Sequence, residues 1–167
     1  MPDRAAELVA ALQLAPHREG GHFREVFRSA ETVQPADRRP VRSALTTIDF
    51  VLARGECSAW HRVRSAEVWH LLEGGPLRLW LMPPALDAVH AVTLGRVDAA
   101  AVAPRHAVPA RWWQAAEPLG ELAYAGATVA PGFDFADFAF LRDDAVASAR
   151  LVALRPDLAR LLAPAQR

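Results

Sequence analysis

Lysine is absent from this sequence, and cysteine and tyrosine occur once each. No apolar run approaches the roughly 20 residues that span a bilayer. These shortages exclude several classes of protein. All 19 basic residues are arginine, and 19 acidic residues balance them to a formal net charge of zero. Arg38, Arg39 and Arg42 cluster, but Glu31 and Asp37 stand among them, so no basic stripe forms. No nucleic-acid or membrane partner is expected. The single cysteine, Cys57, cannot close an internal disulfide, and its expected place is the core. The opening segment MPDRAAELVAALQL mixes charges with helical apolar positions. It has no basic start followed by a solid apolar block, so no secretory leader is expected, and a cytoplasmic location follows as an expectation. Serine-nucleophile motifs, phosphate-binding glycine loops and zinc-ligand spacings are missing too.

What remains is a chain that is 52% hydrophobic and 23% charged, a globular composition. Its 167 residues fit one domain, residues 1–167, with enough length to bury a core. Leu8, Val9 and Leu12 share one face of a short helix over residues 4–13. Pro16 and Gly20-Gly21 break the chain, and His22–Arg28 then alternates as a strand, with Phe23, Glu25 and Phe27 on one side. Residues 30–41 read as an exposed loop. From Arg42 to Val129 one short strand follows another: Ala44–Leu52, Cys57–Val63, Glu67–Leu72, Leu77–Met82, Val89–Leu94, Ala101–Val108, Arg111–Ala115 and Glu121–Val129. Turn residues such as Gly74-Gly75-Pro76 and Pro83-Pro84 separate them. This pattern predicts an all-β sandwich or barrel with its core over about residues 20–141. Helical spacing returns in a tail over about residues 145–163, with Pro156 either starting the helix or dividing it in two.

Chemistry-bearing residues concentrate in the middle of the chain. His61 and Glu67 lie six residues apart, a spacing that places them on adjacent antiparallel strands and turns both into one barrel interior. They are the candidate catalytic pair. A carboxylate inside an apolar strand pair needs a partner or a task, and an ion pair with Arg62 or Arg64 is the structural alternative for Glu67. His70 faces away from Glu67 if the strand is regular, and inward if a bulge intervenes. Gln114 both donates and accepts, which suits ligand recognition, and Trp112 is a candidate wall for a sugar or base.

The run Gly55…His61…Glu67…Gly74 resembles the first motif of the cupins, with Val63 where a second His stands in metal-binding members. The segment Pro109-Ala110-Arg111-Trp112-Trp113-Gln114 resembles the second motif, with Gln114 in place of its His. The segments His17–Glu25, Trp60–Val63, Glu67–His70 and Val129–Phe135 are together similar to a small cupin-like family of unknown function. This likeness spans about residues 6–162. It implies a jelly-roll β-barrel with short helices at each end, and a pocket without a metal. If a divalent transition metal were present, His61, Glu67 and Gln114 would hold it. Gly21-His22-Phe23-Arg24-Glu25 also resembles the substrate strand of dTDP-4-dehydrorhamnose 3,5-epimerase. That likeness implies ligand-binding roles for Phe23 and Glu25, a sugar or nucleotide-sugar ligand, and a homodimer sharing a sheet.

Three functions fit these readings. One is a metal-independent epimerase or isomerase with His61 as base, oriented by Glu67. Another is a metal cupin. The third is a module that binds a small polar ligand without turnover. Tyr124, the only phenol, is the only tyrosine candidate for the acid of an epimerase, and no motif places it in the pocket.

Overall fold

The computed structural model describes residues 3–98 and 102–164. Asp3 caps the first helix, α1 (Arg4–Ala11), by accepting from the Ala5 N–H at 3.1 Å. The strands then follow closely: β1 (Ala15–Pro16), β2 (His22–Arg28), β3 (Thr32–Val33), β4 (Arg42–Ser43), β5 (Thr46–Ala53) and β6 (Ser58–Val63). After them come β7 (Ala66–Gly74), β8 (Leu77–Met82), β9 (His90–Leu94), β10 (Arg105–Val108), β11 (Trp113–Pro118), β12 (Leu122–Ala130) and β13 (Phe138–Phe140). The expected start of one strand at Ala101 lies outside the described residues. The C-terminal tail is divided: α2 (Ala145–Leu154) is capped by Asp144, and a 3-10 stretch over Pro156–Leu161 follows. Pro156 causes the division, since it cannot donate to the helix ladder and clashes with the preceding turn.

Two antiparallel sheets face each other as a jelly roll. One runs β1-β2-β5-β12-β7-β10, the other β13-β6-β11-β8-β9. Side chains alternate along each strand, so every second residue points between the sheets. Towards one end the space is filled. Phe50 and Leu52 of β5, Trp69 of β7, and Leu77, Leu79 and Leu81 of β8 pack there as one buried cluster. Towards the other end the same strands place smaller or polar side chains, Thr46 and Ile48 on β5 and Glu67 on β7, and a cavity opens.

Helices cover both outer faces. α1 lays Ala5 and Leu8 over Val51 and Leu122. The C-terminal helices press Leu151, Leu158 and Leu161 onto Trp60, Trp80 and Trp113. Cys57 packs in that second cluster. Four of the five tryptophans are thereby core residues.

Two local departures from the sequence pattern matter for the cavity. The first is a bulge in β2, where the register with β5 shifts between Glu25 and Phe27. An extra residue reverses the alternation beyond it. Arg28, not Phe27, therefore joins Phe23 and Glu25 on the cavity side, and Phe27 is 53% exposed. The second concerns residues 30–41, which are not simply an exposed loop. Thr32 pairs with Ser43 and Val33 with Arg42, and Arg39 is buried.

Arg39 ends on Asp137 (3.0 Å) and Ser65 Oγ (2.8 Å), and Arg42 clasps the same carboxylate with Nε and Nη2 at 2.9 and 3.0 Å. Asp137 thereby fastens the segment after β12, which walls the cavity. Removing one member of a buried charge cluster leaves the others unpaired and costs about 3–5 kcal/mol, whereas an exposed pair is worth about 1 kcal/mol or less. Asp137→Ala is therefore expected to lower stability by about 3–5 kcal/mol in urea unfolding. Arg64→Ala, which removes an exposed bridge to Asp37, is expected to cost less than about 1 kcal/mol. Equal losses in the two variants would contradict this assignment.

Candidate functional site

The cavity has a volume of about 300 Å³, at the lower end of the roughly 300–1,000 Å³ range for ligand pockets. His17 and Glu19 enter it from the turn before β2, His61 and Val63 from β6, and Glu67 from β7. Phe133, Phe135 and Phe138 wall one side, and Phe23, Glu25 and Arg28 another.

His61 is 2% exposed. Its Nδ1 lies 2.7 Å from the Ala59 carbonyl oxygen. A carbonyl only accepts, so Nδ1 carries the ring proton and Nε2 is the bare nitrogen. Nε2 lies 3.4 Å from Glu19 Oε2. The His61 ring stacks on Phe138 with 5.3 Å between centroids. Burial holds the imidazole below its ordinary range, against the opposing pull of the Glu67 carboxyl. The sequence reading assigned Glu67 to orient His61. Backbone geometry does that instead, through Ala59, while Glu67 acts on the ring through its charge.

Glu67 is held from behind. Trp69 Nε1 donates to Gln114 Oε1 at 2.8 Å, and Gln114 Nε2 donates to Glu67 Oε2 in a very short contact. An indole nitrogen can only donate, so the Gln114 oxygen must face Trp69 and its NH₂ must face Glu67. Burial pushes Glu67 up to about 7 from an ordinary 4.5. Nearby His61 and the Gln114 bond pull it down, and Glu19 pushes it further up. No ion pair joins Glu67 to Arg62 or Arg64 among the described residues. Arg62 lies over the Trp113 ring at 4.2 Å, and Arg64 reaches Asp37 at 3.2 Å.

Glu19 was not identified from the sequence as a site residue. It is 6% exposed, accepts from Ser58 Oγ at 2.8 Å, and is pushed upward by burial. Its backbone carbonyl accepts from the Ala59 N–H at 2.7 Å, which ties it to the strand bearing His61. The turn that follows requires glycine. Gly20 and Gly21 have φ of +108° and +69°, and a Cβ on Gly20 would overlap the Cys57 carbonyl. The His17-x-Glu19-Gly20-Gly21 run was the available signal, since two glycines after an acid mark a tight turn that buries what precedes it.

The remaining candidates divide. Phe23 and Glu25 line the cavity. Gln114 does not; it acts one layer behind, on Glu67. His70 is not in the cavity. β7 stays regular from Glu67 to His70, its register shift falling beyond, at Leu71–Glu73, so His70 points to the opposite face and pairs across to Arg105. Trp112 is not there either. It packs on the inter-sheet core, its ring 6.0 Å from His90. Tyr124 donates to Asp49 at 3.1 Å, outside the cavity.

A metal does not fit this donor set. Among the described residues no three His, Cys, Asp or Glu side chains are grouped to hold an ion. His70 faces away, Val63 stands beside His61, and Gln114 spends its oxygen on Trp69.

The chain is thus a jelly roll filled at one end and hollow at the other, with buried ionisable groups lining the hollow. Residues 6–141 match the family model described as Cupin superfamily (DUF985), and the chain belongs to that family. A hypothetical protein from Leishmania major is 27% identical with a TM-score of 0.79, the match covering 95% of this chain and 96% of that one. A protein of known crystal structure from Shewanella oneidensis is likewise 27% identical with a TM-score of 0.79, over 97% and 96% of the two chains. An oxalate decarboxylase mutant from Bacillus subtilis shares the fold at 18% identity and a TM-score of 0.56, over 83% of this chain and 33% of that one. A search of curated proteins returned no match. No helix among the described residues is long and apolar enough to cross a membrane.

The raised Glu67 carboxyl makes a pH-dependent contribution to folding. A carboxyl whose folded value exceeds its unfolded one stabilises the fold fully below about pH 4.5, and that contribution is lost as pH rises through about 7. Glutamine does not titrate. Relative to the parent protein, Glu67→Gln is expected to gain about 2–3 kcal/mol between about pH 5 and pH 8, read from urea unfolding. Parallel stability profiles for the two proteins would contradict the placement of this carboxyl.

Proposed function

We propose that this protein is an acid–base enzyme of epimerase or isomerase type that works without a metal on a small polar ring compound, such as a sugar. The observation that carries the proposal is His61. Its Nδ1 is committed to a backbone carbonyl, and its Nε2 lies in the cavity 3.4 Å from a carboxyl oxygen of Glu19.

Such a nitrogen is a general base. Nε2 would take the proton from a carbon next to a carbonyl, and the electron pair of that C–H bond would move to the carbonyl oxygen as an enolate. The acid is Glu67, which holds a proton near neutral pH in the same cavity. It would return a proton to the substrate, and exchange with solvent would restore both groups. Tyr124 takes no part, because it lies outside. Glu19 lies beside the base: its Oε2 is 3.4 Å from Nε2, and burial pushes its carboxyl up while pushing His61 down. A cavity of about 300 Å³ accommodates a single ring.

The test is hydrogen exchange in D₂O, followed by proton NMR over a panel of keto- and aldo-sugars and their nucleotide derivatives. The parent protein is expected to wash out the proton next to the carbonyl of at least one compound. His61→Asn should slow that exchange by about 100-fold or more. Saturable binding with no exchange anywhere in the panel would contradict the enzyme reading and leave a ligand-binding module.

A further inference from the structure

The proposed function leaves one feature of the cavity unused: its charge. Glu19, Glu25, Glu67 and Asp134 line it, against a single arginine, Arg28. That arginine is already spent. Its Nε and Nη2 each meet a Glu25 carboxylate oxygen at 2.8 Å, and Nη2 also donates to the Phe133 carbonyl at 3.1 Å. Asp134 is occupied as well, accepting from the Ala136 N–H at 2.8 Å. The two histidines, His17 and His61, are held neutral by burial. Deep in the cavity, Glu19 and Glu67 therefore face no cation of the protein's own.

Glu67 is the more exacting of the two. It is 7% exposed, and of its carboxyl only Oε2 has a hydrogen-bond partner among the described residues, the Gln114 amide. Oε1 is left to the cavity. A carboxyl group so buried needs a proton or a positive charge beside it. Phenylalanine rings also line the cavity, with Phe133 edge-on to both Phe135 (5.0 Å) and Phe138 (6.2 Å). Arg18 already lies over Phe135 at 4.5 Å and His61 stacks on Phe138, so of these three Phe133 is the ring not so covered among the described residues. Aromatic faces attract cations and tolerate the hydrocarbon that carries them.

We infer that the cavity takes a ligand bearing an ammonium group, which places its charge against Glu67 Oε1 with the phenylalanine wall around its carbon skeleton. This rests on the reading of the cavity as a sugar-sized site and names the ligand class within it: an amino sugar or comparably small ring amine. The ammonium replaces the proton that Glu67 otherwise holds, so binding below neutral pH expels that proton, and in such a complex the ligand's own N–H, not the carboxyl, is the proton donor at this position. A neutral sugar's hydroxyl can pair with Oε1 but brings no charge in place of its proton, and an anionic ligand would keep the carboxyl groups protonated.

The experiment is calorimetric titration of the full chain with glucosamine, glucose and glucuronate at about pH 6, where glucosamine is protonated and Glu67 holds its proton. It is repeated in buffers of different ionisation heat to count protons. Glucosamine is expected to bind about tenfold or more tightly than glucose, glucuronate to bind weakest, and the glucosamine complex to release a proton. Glu67→Gln should bind glucosamine and glucose alike and release none. If that variant does not fold, proton release by the parent protein still decides. The inference is overturned by equal binding of the amine and the neutral sugar, by preference for glucuronate, by binding of none of the three, or by binding without proton release. Hydrogen exchange on a neutral carbonyl sugar alongside any of these would leave the proposed function standing. Amine preference without exchange on any compound would do the reverse.

Discussion

A single hydrogen-bonded chain, Trp69 to Gln114 to Glu67, sets the terms for the rest of the molecule. It runs from β7 to β11 and back, joining the two sheets across their shared interior. Because the indole nitrogen only donates, the orientation of every group in the chain is determined. Trp69 belongs to the packed end of the jelly roll and Glu67 to the hollow end, so the chain is also the boundary between core and cavity. Beyond it the strands place Thr46, Val63 and Glu67 where bulkier residues would fill the interior, and a cavity opens.

The chemistry of the cavity follows from that enclosure. Burial disfavours charge on any group without a partner. Glu67 and Glu19 are pushed up and His61 is pushed down, so burial shifts each of them towards its neutral form. The proton on His61 is directed to Nδ1 by a backbone carbonyl, which leaves Nε2 bare. In the proposed mechanism this difference in environment is what assigns the acid role to Glu67 and the base role to His61. The wall that keeps water away from them hangs on Asp137, whose two arginines fix the segment carrying Phe133 to Phe138.

Much of this was legible in the sequence, because most of it obeys short-range rules. Alternation in β2 and short runs between turn residues elsewhere located nine strands to within a few residues, and Leu77–Met82 agrees at both ends, while the short β1, β3, β4 and β13 were not foreseen. The six-residue interval between His61 and Glu67 brought them to one interior, whereas Gln114, expected to meet the ligand, stands behind Glu67 outside the cavity lining. The failures have physical causes. A single inserted residue in β2 reversed which side chains face inward, which hid Arg28 and falsely promoted Phe27. His70 required a bulge that β7 does not contain at that point. Trp112 shares an interior face with Gln114 but packs on the filled side of the boundary, a distinction that periodicity does not encode. Glu19 is buried by a glycine turn and by contact with Ser58 and His61, about 40 residues away in the chain, and Arg39 is buried by an acid 98 residues on. Long-range pairings of this kind leave no local trace.

The central claim is that burial and the Ala59 carbonyl together hold His61 neutral with Nε2 unprotonated. Nitrogen-15 NMR of the imidazole rings at about neutral pH measures this directly, since protonated and bare ring nitrogens resonate far apart. The account expects His61 as the Nδ1–H tautomer, with Nε2 at the position of an acceptor nitrogen. A proton on Nε2, in the other tautomer or in an imidazolium, would contradict it and remove the base from the site.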